Sequence, residues 1–136
     1  MKTRAELLNI WKNIKEEFEA NTDGIKTLIP KKIREEFEAK NKSLIGYIVI
    51  KKQMVALKYS GEPYEDAKTF NLWKKSGYCV KKGEKSNLFG IVWKIIKDKD
   101  TDDVKFMFPK SYSLFHRNQV VDLSMKTKLK KLKIVL

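Results

Sequence analysis

The chain has 136 residues, of which 42% are hydrophobic and 35% are charged. This length and balance predict one globular domain with its own core, rather than a disordered or membrane-spanning chain. Thirty lysines and arginines stand against 17 acidic residues, so the formal net charge is +13. A charge excess of this size repels itself unless a polyanion binds, and nucleic acid is therefore the first expected partner.

Few side chains are suited to catalysis or to metal binding. The single cysteine, Cys79, cannot form an internal disulfide, and the single histidine, His116, cannot build a conventional zinc site. We expect a packed cysteine and a polar loop histidine rather than a Cys–His pair. The phosphate-binding patterns GxxxxGK[ST] and GxGxxG do not occur. The sequence predicts a protein that is not an enzyme and has no catalytic residue, metal, cofactor or small-molecule substrate.

The cellular location is also predicted from the sequence. The first twenty residues lack the apolar core and the small-residue cleavage site of a secretory signal, and no apolar run reaches 18 residues. Together with the single cysteine, this pattern predicts a cytoplasmic protein.

The basic excess lies in the second half of the chain. Residues 1–66 carry 13 basic and 11 acidic side chains, whereas residues 67–136 carry 17 and 6. The net charges of the two halves are thus +2 and +11. This asymmetry is typical of a binding surface carried on a nearly neutral scaffold.

Two amphipathic helices are predicted in the first forty residues. Thr3 followed by Glu6 forms a capping-box pattern. Apolar residues then recur at helical spacing, at Leu7, Trp11, Ile14 and Phe18. Residues 21–24 (NTDG) would end this helix, and Pro30 suits the first turn of a second one.

The two predicted helices share a short repeat, IKEEFEA at 14–20 and IREEFEA at 33–39. The repeat is either a duplicated acidic surface for a partner or two amphipathic helices that independently have the same favourable pattern of apolar and charged residues. It has only two short copies, which favours the second interpretation.

The segment at 43–61 has two open interpretations. Leu44, Ile48 and Leu57 fit a buried helix, whereas residues 47–50 are β-branched enough for a strand. The next segment, at 69–76, predicts a short helix that Thr69 caps and Gly77 ends.

Strand periodicity begins near Tyr78. An apolar run at 88–96, a polar turn at 98–103 and strict alternation at 104–108 predict a β-hairpin. Further short strands are expected at 112–115 and 119–123. Helices followed by strands predict an α+β fold, in which N-terminal helices pack on a small, mainly antiparallel β-sheet.

The stretch from Phe70 to Trp93 combines two features of single-strand recognition. Lysines neutralise phosphates, and exposed aromatic faces stack on bases without sequence preference. The candidate DNA-binding residues are Trp73, Lys74, Lys75, Tyr78, Lys81, Lys82, Gly83, Lys85, Trp93 and Arg117. The alternative is that the aromatic residues are core and the lysines only solvated. For Trp73 and Trp93 the sequence does not decide.

This part of the chain resembles the single-stranded-DNA-binding N-terminal domain of ArdC-type antirestriction proteins, also found in plasmid and phage transfer proteins. After a helix that ends near a glutamine, the family motifs are F-x-x-W-x-x-x-G, V-x-K-G-E-K-G and F-x-x-x-Q. The matching positions are Gln53, Phe70, Trp73, Gly77, Val80, Lys82, Gly83, Glu84, Lys85, Phe115 and Gln119. The resemblance covers about residues 43–121.

The K-G-E-K motif at 82–85 predicts a phosphate-binding turn. Gly83 permits a backbone conformation that a side chain would block, and Lys82 and Lys85 flank it. Glu84 is expected to orient a lysine or to accept backbone N–H groups. Ser86 departs from the family pattern, which usually has glycine there. The zinc-binding HExxH helix of the protease domain that often follows does not occur in this sequence, so no protease activity is implied.

We therefore expect a non-catalytic, sequence-independent single-stranded-DNA-binding protein of a mobile genetic element. Its domain would consist of a helical extension at 1–42, an ArdC-like core at 43–123 and a basic tail at 124–136. The alternative is an accessory subunit that docks on an element-encoded polymerase, primase or helicase, through the acidic repeat or the apolar residues 134–136. Membrane binding would rest on residues 126–133 alone, which are few and lack tryptophan, so no membrane partner is expected.

Overall fold

The computed structural model describes residues 2–20, 29–39 and 44–124. The helices in these ranges are α1 (Arg4–Ala20), α2 (Lys31–Ala39), α3 (Leu44–Ala56) and α4 (Phe70–Lys75). The strands are β1 (Ala67–Lys68), β2 (Tyr78–Val80), β3 (Leu88–Lys97), β4 (Val104–His116) and β5 (Val120–Asp122), with a 3₁₀ helix at Arg117–Gln119. The predicted α+β class is confirmed. None of the described helices is long and apolar enough to cross a membrane.

Helix α1 begins at the predicted cap. The backbone N–H of Glu6 donates to Oγ1 of Thr3 over 3.2 Å, and the Thr3 hydroxyl donates to the Glu6 carboxylate over 3.3 Å. The predicted end at 21–24 lies outside the described residues, as do the lysine-rich segment 126–133 and residues 134–136.

Both copies of the repeat contribute their apolar residues to the same cluster. Ile14 of α1 and Phe37 of α2 are buried in it, and Phe18 and Ile33 pack against it. The isoleucine and phenylalanine of each copy therefore serve the core, which agrees with the amphipathic interpretation.

The segment whose interpretation was open forms a helix. Residues 46–50 and Met54 of α3 are buried, and α3 packs against both α1 and β3. A helix that is apolar around its whole circumference belongs in the core. Burial on all sides thus explains the β-branched residues that also suggested a strand.

Strands β3 and β4 form a long antiparallel hairpin, here called the ribbon. Its register runs from Leu88 opposite Leu114 to Lys97 opposite Val104. Because β4 continues unbroken to His116, the separate strand expected at 112–115 is part of it. Strand β1 pairs with the end of β4, and β2 pairs with β5 in a second small sheet. The strand expected at 119–123 is shorter, because Gln119 lies in the 3₁₀ helix.

The core ends about half-way along the ribbon. In its packed half (residues 88–92 and 110–114), Leu88, Ile91 and Leu114 are buried. Ile91 belongs to the cluster of the N-terminal helices, whereas Leu88 and Leu114 belong to a second cluster with residues of α3 and β1. In its exposed half (residues 93–97 and 104–109), the hydrophobic residues more than half exposed are Ile95, Val104, Phe106 and Met107.

Candidate nucleic-acid interface

Trp73, a candidate for base stacking, is a core residue. Helix α4 begins as predicted, with Oγ1 of Thr69 accepting the N–H of Leu72 over 3.2 Å, and Gly77 beyond its end has a φ of +87°. Trp73 is 0% exposed, and its Nε1 donates to the carbonyl of Phe115 over 2.8 Å. Because a fully buried ring offers no face to a base, the stacking role for Trp73 is wrong.

Tyr78 and Arg117 lie around Trp73. The Tyr78 ring packs edge-on against Trp73 with centroids 5.2 Å apart, and the Arg117 guanidinium lies 5.2 Å from the Trp73 ring. Nε of Arg117 also donates to Oδ1 of Asp66 over 2.7 Å. The charge of Arg117 is thus already compensated within the protein, which weakens its candidacy as a phosphate ligand.

The ion pair between Arg117 and Asp66 shifts both groups. Burial by itself would raise the pKa of Asp66, but hydrogen bonds from Arg117 and from the backbone N–H of Glu62, with the Arg117 charge, hold that pKa below its usual value. The hydrogen bond to Asp66 likewise raises the pKa of Arg117. Both groups are therefore charged at neutral pH.

The turn between β2 and β3 is held by one buried glutamine. Nε2 of Gln119 donates to the carbonyl of Lys85 over 2.8 Å and to Oε2 of Glu84 over 3.1 Å. Its Oε1 accepts the N–H of His116 over 3.0 Å, and its backbone carbonyl accepts the N–H of Lys81 over 2.8 Å. Glu84 therefore receives a glutamine amide, rather than a lysine or a backbone N–H as expected.

Gly83 and the lysines of this turn are exposed. Gly83 has a φ of +86°, and apart from its two chain neighbours no described residue has an atom within 4 Å of the position of a Cβ there, so glycine is favoured by backbone conformation and not by space. Lys81 donates from Nζ to the carbonyl of Asn118 over 2.9 Å. Within the described ranges, Lys82 and Lys85 make no ion pair or side-chain hydrogen bond.

Two further lysines, Lys74 and Lys75, lie in the last turn of α4 and are exposed. They too have no ion-pair partner among the residues that the structure describes. Phe70, at the start of the same helix, is 51% exposed. The helix thus buries Trp73 while presenting two cations and one aromatic ring to solvent.

Ser86 stands at the end of the turn, where the resemblance predicts glycine. Its Oγ lies 2.7 Å from the carbonyl oxygen of Leu114 and 2.8 Å from that of Leu88. Leu88 and Leu114 are the first pair of the ribbon. The serine hydroxyl therefore bonds the turn to the ribbon, a contact that glycine could not make.

His116 is buried, and the expectation of a polar loop histidine is wrong. It ends β4, it is 2% exposed, and its ring stacks on Tyr59 with centroids 4.3 Å apart. Nδ1 accepts the N–H of Asn118 over 3.1 Å, and Nε2 donates to the carbonyl of Ser60 over 2.7 Å. Both ring nitrogens are thus used in structural hydrogen bonds. Among the described residues, no three His, Cys, Asp or Glu side chains are grouped to hold a metal.

Trp93 is half-buried, while other aromatic rings are open to solvent. The Trp93 ring packs edge-on against Trp11 with centroids 5.7 Å apart. Phe106 is 52% exposed, stacks on Phe108 at 6.1 Å, and belongs to the exposed half of the ribbon. Sequence reasoning did not select these two phenylalanines. Their spacing of two in a strand, which places both rings on one face, was the available signal.

No protein-family model, curated protein or solved structure matches this chain. The resemblance to the ArdC-type domain therefore stays a prediction. The features that bear on function are the turn at 81–85, helix α4 and the aromatic rings that are exposed to solvent.

Proposed function

We propose that this chain is a non-catalytic, cytoplasmic protein that binds single-stranded DNA without sequence preference. The observation that carries the proposal is the turn at 81–85. Gln119 holds its backbone from inside the protein, while Lys82 and Lys85 remain exposed and unpaired in the described structure. Ammonium groups on a fixed turn can replace the counterions of a phosphate chain at little cost in backbone entropy.

Helix α4 supplies further exposed groups that suit a nucleic acid. Lys74 and Lys75 add two exposed charges, and Phe70 adds an exposed ring. Lysine contacts to phosphate carry no sequence information, which supports binding without base preference. Exposed rings support a preference for single strands, because a duplex hides the base faces that stacking needs. The assignment to a mobile genetic element rests on the resemblance alone.

Fluorescence anisotropy with one sequence in single- and double-stranded form, at several salt concentrations, tests the proposal. The wild type should bind the single strand more tightly. The variant Lys82→Ala/Lys85→Ala should lower the salt slope by roughly 1.4, since each phosphate contact contributes about 0.7 on single strands. The matched control Lys12→Ala/Lys15→Ala removes two exposed charges of α1 and should leave the slope unchanged.

Two outcomes would contradict the proposal. Equal affinity for single strands and duplex at every salt concentration would remove the role of stacking. An unchanged slope in the Lys82→Ala/Lys85→Ala variant would place the phosphate contacts elsewhere.

The second candidate function is an accessory subunit of a polymerase, primase or helicase. The exposed half of the ribbon favours it, because Ile95, Val104 and Met107 are each more than half exposed and grouped apolar residues are typical of protein-binding surfaces. Direct binding to a purified element-encoded enzyme, lost in the variant Ile95→Lys/Met107→Lys, would support this function. Binding that survives the double substitution would remove the ribbon as the docking surface.

A further inference from the structure

A basic cleft of about 340 Å³ lies where the start of α1 meets the ribbon. Four of its lining residues are basic, namely Lys2, Arg4, Lys94 and Lys110, and Phe108 contributes an aromatic wall. None of the described residues that line it is acidic. Lys94 lies directly opposite Phe108 in the ribbon, and the Arg4 guanidinium lies 3.8 Å from the Phe108 ring centre.

A second cleft, of about 470 Å³, connects this site to the turn at 81–85. Ser86 and Asn87, which directly follow the turn, line it together with residues of the packed half of the ribbon. Lys2 lines both clefts, so the two adjoin. The described lining of the second cleft also contains no acidic side chain. The described linings of the two clefts thus lead from Ser86, next to Lys85, to Phe108 without an acidic side chain.

The chemistry of this surface fits a chain that carries both anions and flat rings. Arg4, Lys94 and Lys110 can each contact a phosphate, and an arginine that stacks on a ring keeps its charge and its donors. The ring of Phe106 beside Phe108 stays open, at 52% exposed. Nucleotides supply a phosphate and a stacking face in every unit, which matches this alternation of cations and rings.

We propose that single-stranded DNA runs from the turn at 81–85 through both clefts and ends with a base stacked on Phe106. This proposal deepens the proposed function and rests on it. The stretch of ribbon from Leu88 to Lys94 is about 20 Å long at roughly 3.3 Å per residue. That length suits the small footprints of single-strand-binding domains, which begin at about four nucleotides.

The test compares two charge variants on an oligothymidylate of about twelve nucleotides. The cleft variant Arg4→Gln/Lys94→Gln/Lys110→Gln should lower the salt slope by roughly 2.1, at about 0.7 per phosphate contact. Its matched control, Lys12→Gln/Lys15→Gln/Lys32→Gln, removes the same charge from exposed positions of α1 and α2 and should keep the wild-type slope. Unchanged circular dichroism and thermal midpoints would show that all variants are folded.

The base-stacking end of the path is tested separately. Phe106→Leu keeps an apolar side chain but removes the aromatic face, and it should weaken binding about 5- to 150-fold. Met107→Leu, the neighbouring exposed residue, serves as its control and should bind like the wild type.

The outcomes separate this proposal from the proposed function. If the cleft variant and Phe106→Leu bind like the wild type while Lys82→Ala/Lys85→Ala binds weakly, the path is wrong and single-strand binding stands. If the wild type itself shows no preference for single strands, both proposals fail. If Phe106→Leu changes the oligomeric state in sedimentation velocity but not the DNA affinity, the surface is an interface between copies and the path is overturned.

Discussion

The two halves of the ribbon share the same two strands but differ in how they are stabilised. In the packed half, Ile91 is buried against the N-terminal helices and Leu88 against α3. In the exposed half, Ile95 and Met107 lie opposite each other across the strands and are 52% and 57% exposed. The strand pairing thus continues well beyond the point where the buried hydrophobic clusters end.

Buried and half-buried polar side chains strengthen the packed half of the ribbon. Gln53 of α3 accepts the N–H of Phe89 over 3.0 Å and donates to its carbonyl over 2.7 Å, so its amide pairs with the edge of β3 much as a neighbouring strand would. Gln119 and His116 use their polar side-chain atoms in the same region. Side-chain amides that satisfy backbone groups away from solvent define a single geometry, because any displacement would leave those groups unpaired.

The difference indicates a division of roles along one hairpin. Burial of apolar surface stabilises a fold by about 25 cal/mol per Å². A half-exposed side chain therefore gains only part of this stabilisation. The apolar residues of the exposed half therefore contribute little to folding, which is consistent with the binding roles proposed for them above. The packed half contributes the stability and holds the turn at 81–85 in place.

The largest expected effect is at Trp73, next to the packed half. Trp73→Ala removes a fully buried ring and its hydrogen bond to Phe115, so it should lower the free energy of unfolding by about 3–5 kcal/mol. Urea denaturation measures this change. Phe70→Ala, on the exposed side of the same helix, is the control and should cost well under 1 kcal/mol. A stable Trp73→Ala protein that has lost only DNA binding would contradict the burial of this ring.

Substitution of Gln119 should have the next largest effect. Gln119→Leu keeps the approximate volume but leaves the N–H of His116 and the carbonyl of Lys85 without their partner, at a cost of about 2–3 kcal/mol. The loosened turn should also weaken DNA binding. Asn118→Ala, at the exposed neighbouring position, should leave both the unfolding free energy and the affinity nearly unchanged. Wild-type stability in Gln119→Leu would show that the amide does not hold the turn.

Local patterns predicted the elements of this fold well. The cap at Thr3, the short helix after Thr69 and the hairpin around residues 98–103 each depend on residues that are close in sequence. The sequence does not distinguish helix from strand at α3, because a short apolar run without periodicity fits a buried helix and a buried strand equally.

The roles of individual side chains depended on distant contacts and were harder to predict. Trp73 is buried beside a distant part of the chain, where its Nε1 donates to the carbonyl of Phe115, 42 positions away. Six residues of helix cannot show which face a later segment will cover. The roles of His116 and Gln119 also depend on distant contacts, since folding brings His116 to Ser60 and Gln119 to Lys85. Lys82 and Lys85 make no such side-chain contact in the described structure, and they are exposed as a lysine-rich turn would suggest.

The ion pair between Asp66 and Arg117 should give a smaller, pH-dependent effect. Because the folded-state pKa of Asp66 is lowered, its stabilisation is complete above the unfolded pKa of about 3.9 and is lost as the pH falls through the folded value. The pair is partly open to water, so we expect about 1 kcal/mol between wild type and Asp66→Asn at pH 7.

Urea denaturation of both proteins between pH 7 and about pH 2.5 measures this gap, which should close at the acidic end. Burial, followed by the charges of Glu65 and Asp66, raises the pKa of Glu62 and gives the opposite pH dependence. Asp66→Asn removes one of these charges and so also changes the pKa of Glu62, and both proteins should therefore carry Glu62→Gln, which leaves Asp66 as the titrating difference. A gap that stays constant over the whole range would show that the ionised form of Asp66 is not what stabilises the fold.

The smallest effect is expected in the exposed half of the ribbon. Ile95→Thr/Met107→Thr replaces two apolar side chains with threonine, which also favours strands. The double substitution should change the unfolding free energy by less than about 0.5 kcal/mol. The matched control is Ile91→Thr, which lies four residues earlier in β3 and is only 6% exposed. It should cost about 2 kcal/mol or more, because it buries a hydroxyl and leaves a cavity. Equal losses in the two proteins would mean that the exposed half is covered in solution. Dependence of the Ile95→Thr/Met107→Thr loss on protein concentration would then identify a second copy of the chain as the cover.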